Sequence, residues 1–281
     1  MCLSKKCEPR ERLPEARNPI NTGRNHTSNT FRNGRNENRQ QRRNNQANFN
    51  EFLELFSRVS SGNLPVPRTG SWVIQNGAAQ LFNALQENRE QWVNSEDRSS
   101  GFIRAIRSGA EGDNRLIAFL MDAKRAAQNV TKLPGTTPGQ LVAAMEEMES
   151  NIHEHSDAPA TGLLAFRASP DMYEFVIYDQ GVGVLESLRR CAAFAALGDH
   201  GSALEAALAD GTSRFGTDSN RGHGFRPIFL GLANLCGSLR FRSGDYALTM
   251  DGTSPDLTTA HIAQKPLLSG FFASITCYPP S

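Results

Sequence analysis

Polar side chains recur at four-residue spacing near the middle of this 281-residue chain. Glu147, Asn151 and His155 carry a carboxylate, an amide and an imidazole, and residues spaced in this way share one face of a helix. An apolar stripe runs beside them, made of Leu141, Met145, Met148 and Ile152. The helix is therefore expected to pack with one face and to direct polar groups from the neighbouring face, as the wall of a binding pocket must.

Two glycine-containing elements follow this helix. The first is Asp179-Gln180-Gly181-Val182-Gly183, and the second is Arg221-Gly222-His223-Gly224-Phe225. Neither is a common phosphate-binding loop, because the chain has no Gly-Lys dipeptide and neither pair is followed by the third glycine of a dinucleotide fingerprint. His153 and His155 do not form a metal pair, since residues two apart on a helix point away from each other. No serine lies in a nucleophile-elbow context, so a hydrolase triad is unsupported.

Taken together and in this order, the helix and the two glycine elements resemble the nucleotide pocket of the GHKL superfamily. That superfamily includes gyrase-type topoisomerases, heat-shock chaperones, sensor histidine kinases and anti-sigma serine kinases. The resemblance covers roughly residues 137–277. It implies ATP and Mg²⁺ as cofactors and a two-layer α/β sandwich with a mostly antiparallel, mixed sheet.

The resemblance also implies roles for five residues of the first two elements. Asn151 would coordinate Mg²⁺ through its side-chain oxygen, and Glu147 would orient or deprotonate the attacking water or hydroxyl. Asp179 would accept a hydrogen bond from the adenine amino group. Gly181 and Gly183 would allow the backbone to turn tightly beneath the base, where a Cβ atom would collide.

The third element and the residues before it would bind the phosphates. Gly222 and Gly224 would present backbone N–H groups at the start of a helix over 226–236. Residues 185–221 would form a lid. The phosphate contacts expected in that lid come from Arg214, Asn220 and Arg221.

The chain departs from the family pattern at its last predicted strand. The family commonly has a Gly-Thr pair there, whose hydroxyl supports the adenine site. In this chain Gly270 is followed by Phe271. Ser274 or Thr276 would have to supply the hydroxyl from a shifted register.

Within the superfamily, the chain looks most like the compact anti-sigma or switch-type serine kinases. No histidine occurs between His26 and His153, so a phospho-acceptor histidine on an upstream hairpin is absent. We expect an ATPase or a serine/threonine-type protein kinase in a regulatory switch, with a protein as its regulator or substrate and with a homodimer as an option. The alternative is a protein-interaction module, either gated by nucleotide or independent of it, with a decayed pocket.

Local patterns predict the elements around this site. Thr137 is expected to cap the pocket-wall helix and Pro138 to occupy its first position. Further helices are expected over 76–93, 113–131 and 201–210. Strands are expected over 163–168, 173–178, 238–243, 245–250 and 271–277. The chain thus divides into a tail over 1–48, a helical lead-in region over 49–135 and an ATP-binding domain over 136–281.

Charge separates the tail from the rest of the chain. Residues 1–50 hold 11 Lys/Arg and 4 Asp/Glu, a balance of +7, which leaves 19 and 25 in the other residues, a balance of −6. The tail is rich in arginine and asparagine and poor in apolar residues, so we expect it to be disordered. Nucleic acid is expected to bind, if at all, only through this tail.

The remaining composition indicates a cytoplasmic protein. No apolar run approaches the ~18 residues of a membrane span, and no apolar segment of a secretory signal follows the N-terminal lysines. The five cysteines are scattered without a C-x-x-C pair, which favours free thiols in a reducing compartment.

Overall fold

The computed structural model describes Glu54 and residues 79–105, 109–208, 238–251 and 261–279. The helices within these parts are α1 (Ala79–Gln86), α2 (Gly109–Asn129), α3 (Thr137–His155), α4 (Gly183–Arg189) and α5 (His200–Leu208). The strands within them are β1 (Gln91–Val93), β2 (Ser100–Arg104), β3 (Leu163–Ser169), β4 (Met172–Asp179), β5 (Ser238–Asp251) and β6 (His261–Cys277). Short 3₁₀ turns lie at Pro159–Thr161 and Ala192–Phe194.

The described strands form one six-stranded sheet in the order β1-β2-β3-β4-β6-β5, and each neighbouring pair is antiparallel. The architecture is therefore α/β. β4 lies between β3 and β6 and is buried at all eight positions. Because side chains alternate along a strand, β4 contributes to two different layers of packing.

Helices α2 to α5 pack against one face of the sheet, which we call the main face. Tyr173, Phe175 and Ile177 of β4 lie in its core, together with the apolar stripe of α3. Phe119 of α2 contacts Phe166 of β3 on this face, with ring centroids 5.4 Å apart. This core fixes α3 relative to the end of β4, which is where the candidate site lies.

The other face of the sheet, which we call the opposite face, is also covered. Leu81 and Leu85 of α1 pack there with Phe102, Val176 and other apolar side chains. Near β5, the same face holds a buried ion-pair cluster. Glu54 accepts a hydrogen bond from the fully buried Arg242 and pairs with Arg240 at 2.8 Å. Glu54 therefore belongs to the packed structure.

The pocket-wall helix begins where the sequence predicts, at Thr137, and has proline in its first turn. The expected cap is wrong, however. Thr137 is a buried helical residue, and Thr136 is the N-cap, in an αR conformation without a side-chain hydrogen bond to the helix. Proline has no N–H group that needs a hydrogen-bond acceptor, and its ring already fixes the backbone of the first turn. A side-chain cap would therefore stabilise this helix less than usual.

The lead-in region over 49–135 was predicted to be helical, but its described part also contains two strands. The helix expected over 76–93 ends at Gln86, and Trp92 lies in β1, where it pairs with Phe102 of β2. β2 in turn pairs with β3. Trp92 follows Leu85 at helical spacing, but pairing across the sheet overrides this local pattern.

The strands predicted over 238–243 and 245–250 are one continuous strand, β5. The register with β6 shifts on both sides of Gly244, which has φ +60°. Glycine adopts this conformation readily, so the strand bulges here instead of turning back. β6 is also longer than predicted, because it begins at His261 rather than near 271.

Cys277 is disulfide-bonded, which contradicts the expectation that all cysteines are free thiols. Spacing along the chain does not reveal such a bond, since a disulfide depends on which cysteines meet in the folded chain.

No helix in the described parts of the chain is long and apolar enough to cross a membrane.

Candidate functional site

The candidate site is organised around Asp179, the last residue of β4. Its side chain is on the main face and only 4% exposed. The Oδ1 atom accepts a hydrogen bond of 2.8 Å from the backbone N–H of Gly181, which closes a tight turn directly after the strand. Among the described residues, Oδ2 accepts no hydrogen bond. One oxygen thus shapes the turn, and the other is available to a donor.

Burial raises the pKa of Asp179 to about 6, and the hydrogen bond from Gly181 opposes part of this shift. Removing a carboxylate from water disfavours its charged form, whereas a donor stabilises that form. With a pKa near 6, the group is mostly ionised at pH 7 and is a strong acceptor there.

The turn after Asp179 is pressed against the end of α3. A Cβ atom placed on Gly181 would lie 1.9 Å from the carbonyl oxygen of Ser156, a distance that no real Cβ adopts. The same carbonyl accepts a hydrogen bond of 2.9 Å from Val182. Glycine at position 181 is therefore required because two backbones meet there, and the predicted turn and helix are brought together as expected.

A second glycine contact joins the turn to β6. Gly270 has φ +74°, and a Cβ atom there would lie 2.3 Å from the carbonyl oxygen of Asp179. Gly183, the first residue of α4, also has positive φ and faces the carbonyl oxygen of Gly270. Backbone atoms from three segments thus surround Asp179. Rearrangement of side chains alone would therefore change the shape of this site very little.

Ser243 of β5 supplies a hydroxyl that the sequence did not indicate. It is fully buried, accepts a hydrogen bond of 2.9 Å from Val184 N–H, and donates one of 3.0 Å to the carbonyl of Gly270. The hydroxyl expected from Ser274 or Thr276 is not at the site, since both lie on the opposite face. Their partners across the sheet are Val176 and Glu174.

The wall formed by α3 carries the predicted polar stripe. Glu147 and Asn151 are half-buried, beside the fully buried Met148 and Ile152. Within the described residues, neither polar side chain is held by a hydrogen bond or an ion pair. Asn151 lies just over one turn before Ser156, which contacts the 179–183 turn. Both side chains are therefore without a partner in the described parts of the chain.

The third predicted element lies outside the described residues. This applies to Arg214, Asn220, Arg221, Gly222 and Gly224, and to the helix predicted over 226–236.

The predicted lid is wrong over 185–208. Leu185 and Leu188 of α4, together with Leu204 and Leu208 of α5, are buried in the main core. These helices pack on the sheet beside β5. These leucines are core residues, so the two helices belong to the packed domain.

A metal site made of several charged ligands is not found in the described parts of the chain. They contain no group of three or more His, Cys, Asp or Glu side chains placed to hold an ion. The single amide expected from Asn151 is a different kind of ligand, because Mg²⁺ usually keeps waters and takes few protein ligands beside phosphate oxygens.

Comparison of the chain with protein-family models, with curated proteins and with solved structures finds no match.

Proposed function

We propose that this protein binds ATP with Mg²⁺, in the manner of the GHKL superfamily, between α3 and the turn at 179–183. The observation that carries the proposal is the setting of Asp179. It is a buried carboxylate with one oxygen held by the turn and the other without a donor. A buried acceptor of this kind favours a ligand that donates a hydrogen bond, as the adenine amino group does.

The two-layer arrangement implied by the resemblance is part of this proposal. α3 stands on the main face, and its polar stripe borders the turn that holds Asp179. The base would lie near Asp179 and Gly181, and the phosphates would extend along α3. Asn151 would hold Mg²⁺, which neutralises phosphate charge when bound.

Glu147 precedes Asn151 by one helical turn and supports an active enzyme over a passive nucleotide switch. Its carboxylate is half-buried and makes no ion pair within the described residues. It would take a proton from the attacking water or from a partner's hydroxyl. On this basis the protein acts as an ATPase or a serine/threonine-type kinase within a regulatory switch, with a protein partner.

A protein-interaction module with a decayed pocket is the second candidate. It is favoured by the position of Ser243, whose hydroxyl is already used by two backbone groups. No hydroxyl follows Gly270 to support a base, because Phe271 turns into the main core and contacts Phe241. In that case the pocket would keep its shape without retaining nucleotide.

Nucleotide-dependent stabilisation distinguishes the two candidates. Adding Mg²⁺ and a non-hydrolysable ATP analogue at millimolar concentration should raise the Tm of the folded protein by mass action. Asp179→Asn should weaken binding by about 1–3 kcal/mol. The control is Asp171→Asn, at an exposed position in the β3–β4 turn. An unchanged Tm, or equal shifts in both variants, would contradict the ATP-binding proposal.

Glu147→Gln tests the enzymatic step separately. It should abolish ATP hydrolysis or phosphoryl transfer and leave nucleotide affinity nearly unchanged, because it removes only the group that handles the proton. Glu146→Gln is the control, since that neighbouring carboxylate is exposed. Loss of turnover in both variants, or in neither, would remove Glu147 from the mechanism while leaving the binding proposal intact.

A further inference from the structure

A separate pocket lies at the other end of the sheet, beside the β3–β4 hairpin. Its volume is about 410 Å³. Its lining comes from α1, the β1–β2 hairpin and the end of β3, and consists of Gln80, Asn94, Asp97, Ser99, Ser100, Arg167, Ala168 and Ser169. Small-molecule pockets usually measure about 300–1,000 Å³, so the size suits a small ligand rather than a polypeptide segment.

The lining is polar, and several of its groups are already used by the backbone. Asp97 accepts a hydrogen bond from Ser99 N–H, and Asn94 accepts one from Glu96 N–H. Arg167 is different. It is half-buried, and within the described parts of the chain its guanidinium has no hydrogen bond and no carboxylate within ion-pair distance. The pocket therefore presents a guanidinium fork together with nearby hydroxyl groups.

Glu174 lies behind this fork. It pairs with Arg167 across β3 and β4, and its carboxylate is fully buried. Neither carboxylate oxygen makes a hydrogen bond of good geometry, although the Thr276 hydroxyl beyond it is near enough to stabilise its charge slightly. A buried carboxylate without hydrogen bonds is costly, so its place beside Arg167 needs a reason other than stability.

We propose that this pocket binds a small polar molecule through an oxyanion, either a carboxylate or a phosphate-like group, held by Arg167 and the hydroxyls of Ser99 and Ser100. Guanidinium forks match both kinds of oxyanion. This pocket is distinct from the ATP site. It lies on the opposite face of the sheet, and Glu174 is about 17 Å along β4 from Asp179. The proposal does not depend on nucleotide binding.

The position of Glu174 makes such binding pH-dependent. Burial raises the pKa of Glu174 to about 7, and Arg167 opposes this shift. Other charged groups on this face are Asp97 in the pocket, Arg104 of β2, and Arg240 and Arg242 of β5, which are both paired with Glu54. Ionised Glu174 competes with the ligand for the positive charge of Arg167. Binding should therefore be tighter below pH 7, where Glu174 is protonated, than above it.

Sulfate and acetate are suitable probes, because neither changes charge between pH 6 and 8. Each is titrated against the full chain, with the Nε–H resonance of Arg167 and the amides of Ser99 and Ser100 followed by NMR. Arg167→Gln should weaken binding at least about tenfold. The control Arg125→Gln removes an exposed arginine from α2 and should have no effect. Preference for sulfate or for acetate identifies the class of oxyanion.

Glu174→Gln tests the coupling. Wild-type affinity should fall up to about tenfold from pH 6 to pH 8, and this change should vanish in the variant. Glu154→Gln, at an exposed position on α3, should keep the wild-type dependence. If Arg167→Gln does not fold, Gln80→Ala, at an exposed position on α1, tests instead whether the anion binds in this pocket. Absence of binding up to 50 mM of both anions, or equal binding by Arg167→Gln and Arg125→Gln, would overturn the proposal.

Discussion

Asp179 and Glu174 are two buried carboxylates on one strand, five residues apart, and they point to opposite faces of the sheet. Burial raises the pKa of both, to about 6 and about 7. Asp179 is surrounded by backbone atoms and receives a hydrogen bond from Gly181. Glu174 is surrounded by side chains, chiefly Arg167 and Thr276.

This difference explains why the surroundings of Asp179 can be predicted from the sequence, whereas those of Glu174 cannot. Backbone atoms can approach Asp179 only where the chain has glycine, so its surroundings leave a pattern of glycines near it. The surroundings of Glu174 depend on which residues of β3 and β6 lie opposite it. Those residues are ordinary in type and carry no signature of the pocket.

The largest effect is expected from Gly181→Ala. A methyl group there meets the backbone of Ser156, which cannot move without shifting the end of α3. We expect a loss of more than about 4 kcal/mol of unfolding free energy, and loss of nucleotide binding with it. The measurement is denaturant unfolding.

The matched control for that substitution is Gly139→Ala, in the first turns of α3. A Cβ atom at this glycine meets nothing within 4 Å. Alanine favours a helix over glycine by about 0.5–1 kcal/mol, so this variant should be slightly more stable than the wild type. Similar stability in the two variants would show that the Asp179 end of β4 tolerates side chains as freely as an open helix surface.

Glu54→Gln is expected to have the next largest effect. On the opposite face, Arg242 is a buried charged group that has an ion-pair partner, in contrast to Glu174. Arg242 is 1% exposed and donates to Glu54 and to the carbonyl of Pro266. Removing one partner of a buried ion pair costs about 3–5 kcal/mol, because the remaining charge stays buried.

Glu90→Gln is the control for Glu54, since it breaks the exposed pair between Glu90 and Arg115. Exposed pairs contribute about 0–1 kcal/mol. If both substitutions had the same small effect, Glu54 would not be packed against β5 in solution.

The two carboxylates of β4 can be compared directly by pH. The folded pKa of Glu174, about 7, exceeds the ordinary value of 4.5. The folded state therefore binds more protons between these values, and stability falls as pH rises through that window. Glu174→Gln removes this loss, so it should be more stable than the wild type by up to about 3 kcal/mol at pH 8 and nearly equal at pH 4.

Asp179→Asn should follow the same rule in a lower window, between 3.8 and about 6. Asparagine keeps an oxygen that can accept the hydrogen bond from Gly181. Above pH 6 the Asp179→Asn variant should therefore also be more stable than the wild type, while its nucleotide affinity falls. A carboxylate retained at a cost to stability is typical of a functional group. Unfolding free energies of both variants and the wild type, measured from pH 4 to 8, distinguish the pH range of Asp179 from that of Glu174. A flat difference for Glu174→Gln would contradict its raised pKa.

The elements predicted well from the sequence are those fixed by local patterns. α3 was predicted from its apolar stripe and Pro138, and both determine packing within a few residues of chain. β3 and β4 were predicted within one residue at each end. β1 and β2 were both missed, because their residues acquire their environment only by pairing, β1 with β2 and β2 with β3.

In the candidate site, too, local patterns were predicted and contacts between distant strands were not. Asp179 and Gly181 were predicted as site residues from a motif of adjacent residues, and the turn that these residues form is local. Ser243 was not, since it meets Val184 across 59 residues of chain, and its strand was predicted as two separate strands over 238–243 and 245–250. Register between distant strands decides which hydroxyl reaches the site, and a single sequence does not state that register.

A smaller effect is expected from Ser243→Ala. Loss of the Ser243 hydroxyl leaves the N–H of Val184 and the carbonyl of Gly270 without their buried partner. The cost should be about 2 kcal/mol, within the usual range for buried unsatisfied groups. Nucleotide affinity should fall in parallel, because these groups hold α4 and Gly270 around Asp179.

Ser150→Ala is the comparison for Ser243, since its hydroxyl makes only a long contact of 3.4 Å with Glu154 on the surface of α3. Thermal unfolding with and without nucleotide measures both effects. Equal stability of the two variants would mean that the backbone alone holds the Asp179 end together.

The smallest effect is expected from deleting residues 1–48. These residues hold all of the +7 charge balance of the first 50 and have few apolar side chains, so they cannot bury enough surface to stabilise the domain. The deletion also spares Glu54 and its pair with Arg242. Unfolding free energy and nucleotide affinity should both stay within about 0.5 kcal/mol of the wild type. Salt-sensitive binding to DNA or RNA that disappears on deletion would instead identify Arg35, Arg39 and their neighbours as a polyanion-binding arm. A large loss of stability would place the boundary of the packed chain before residue 49.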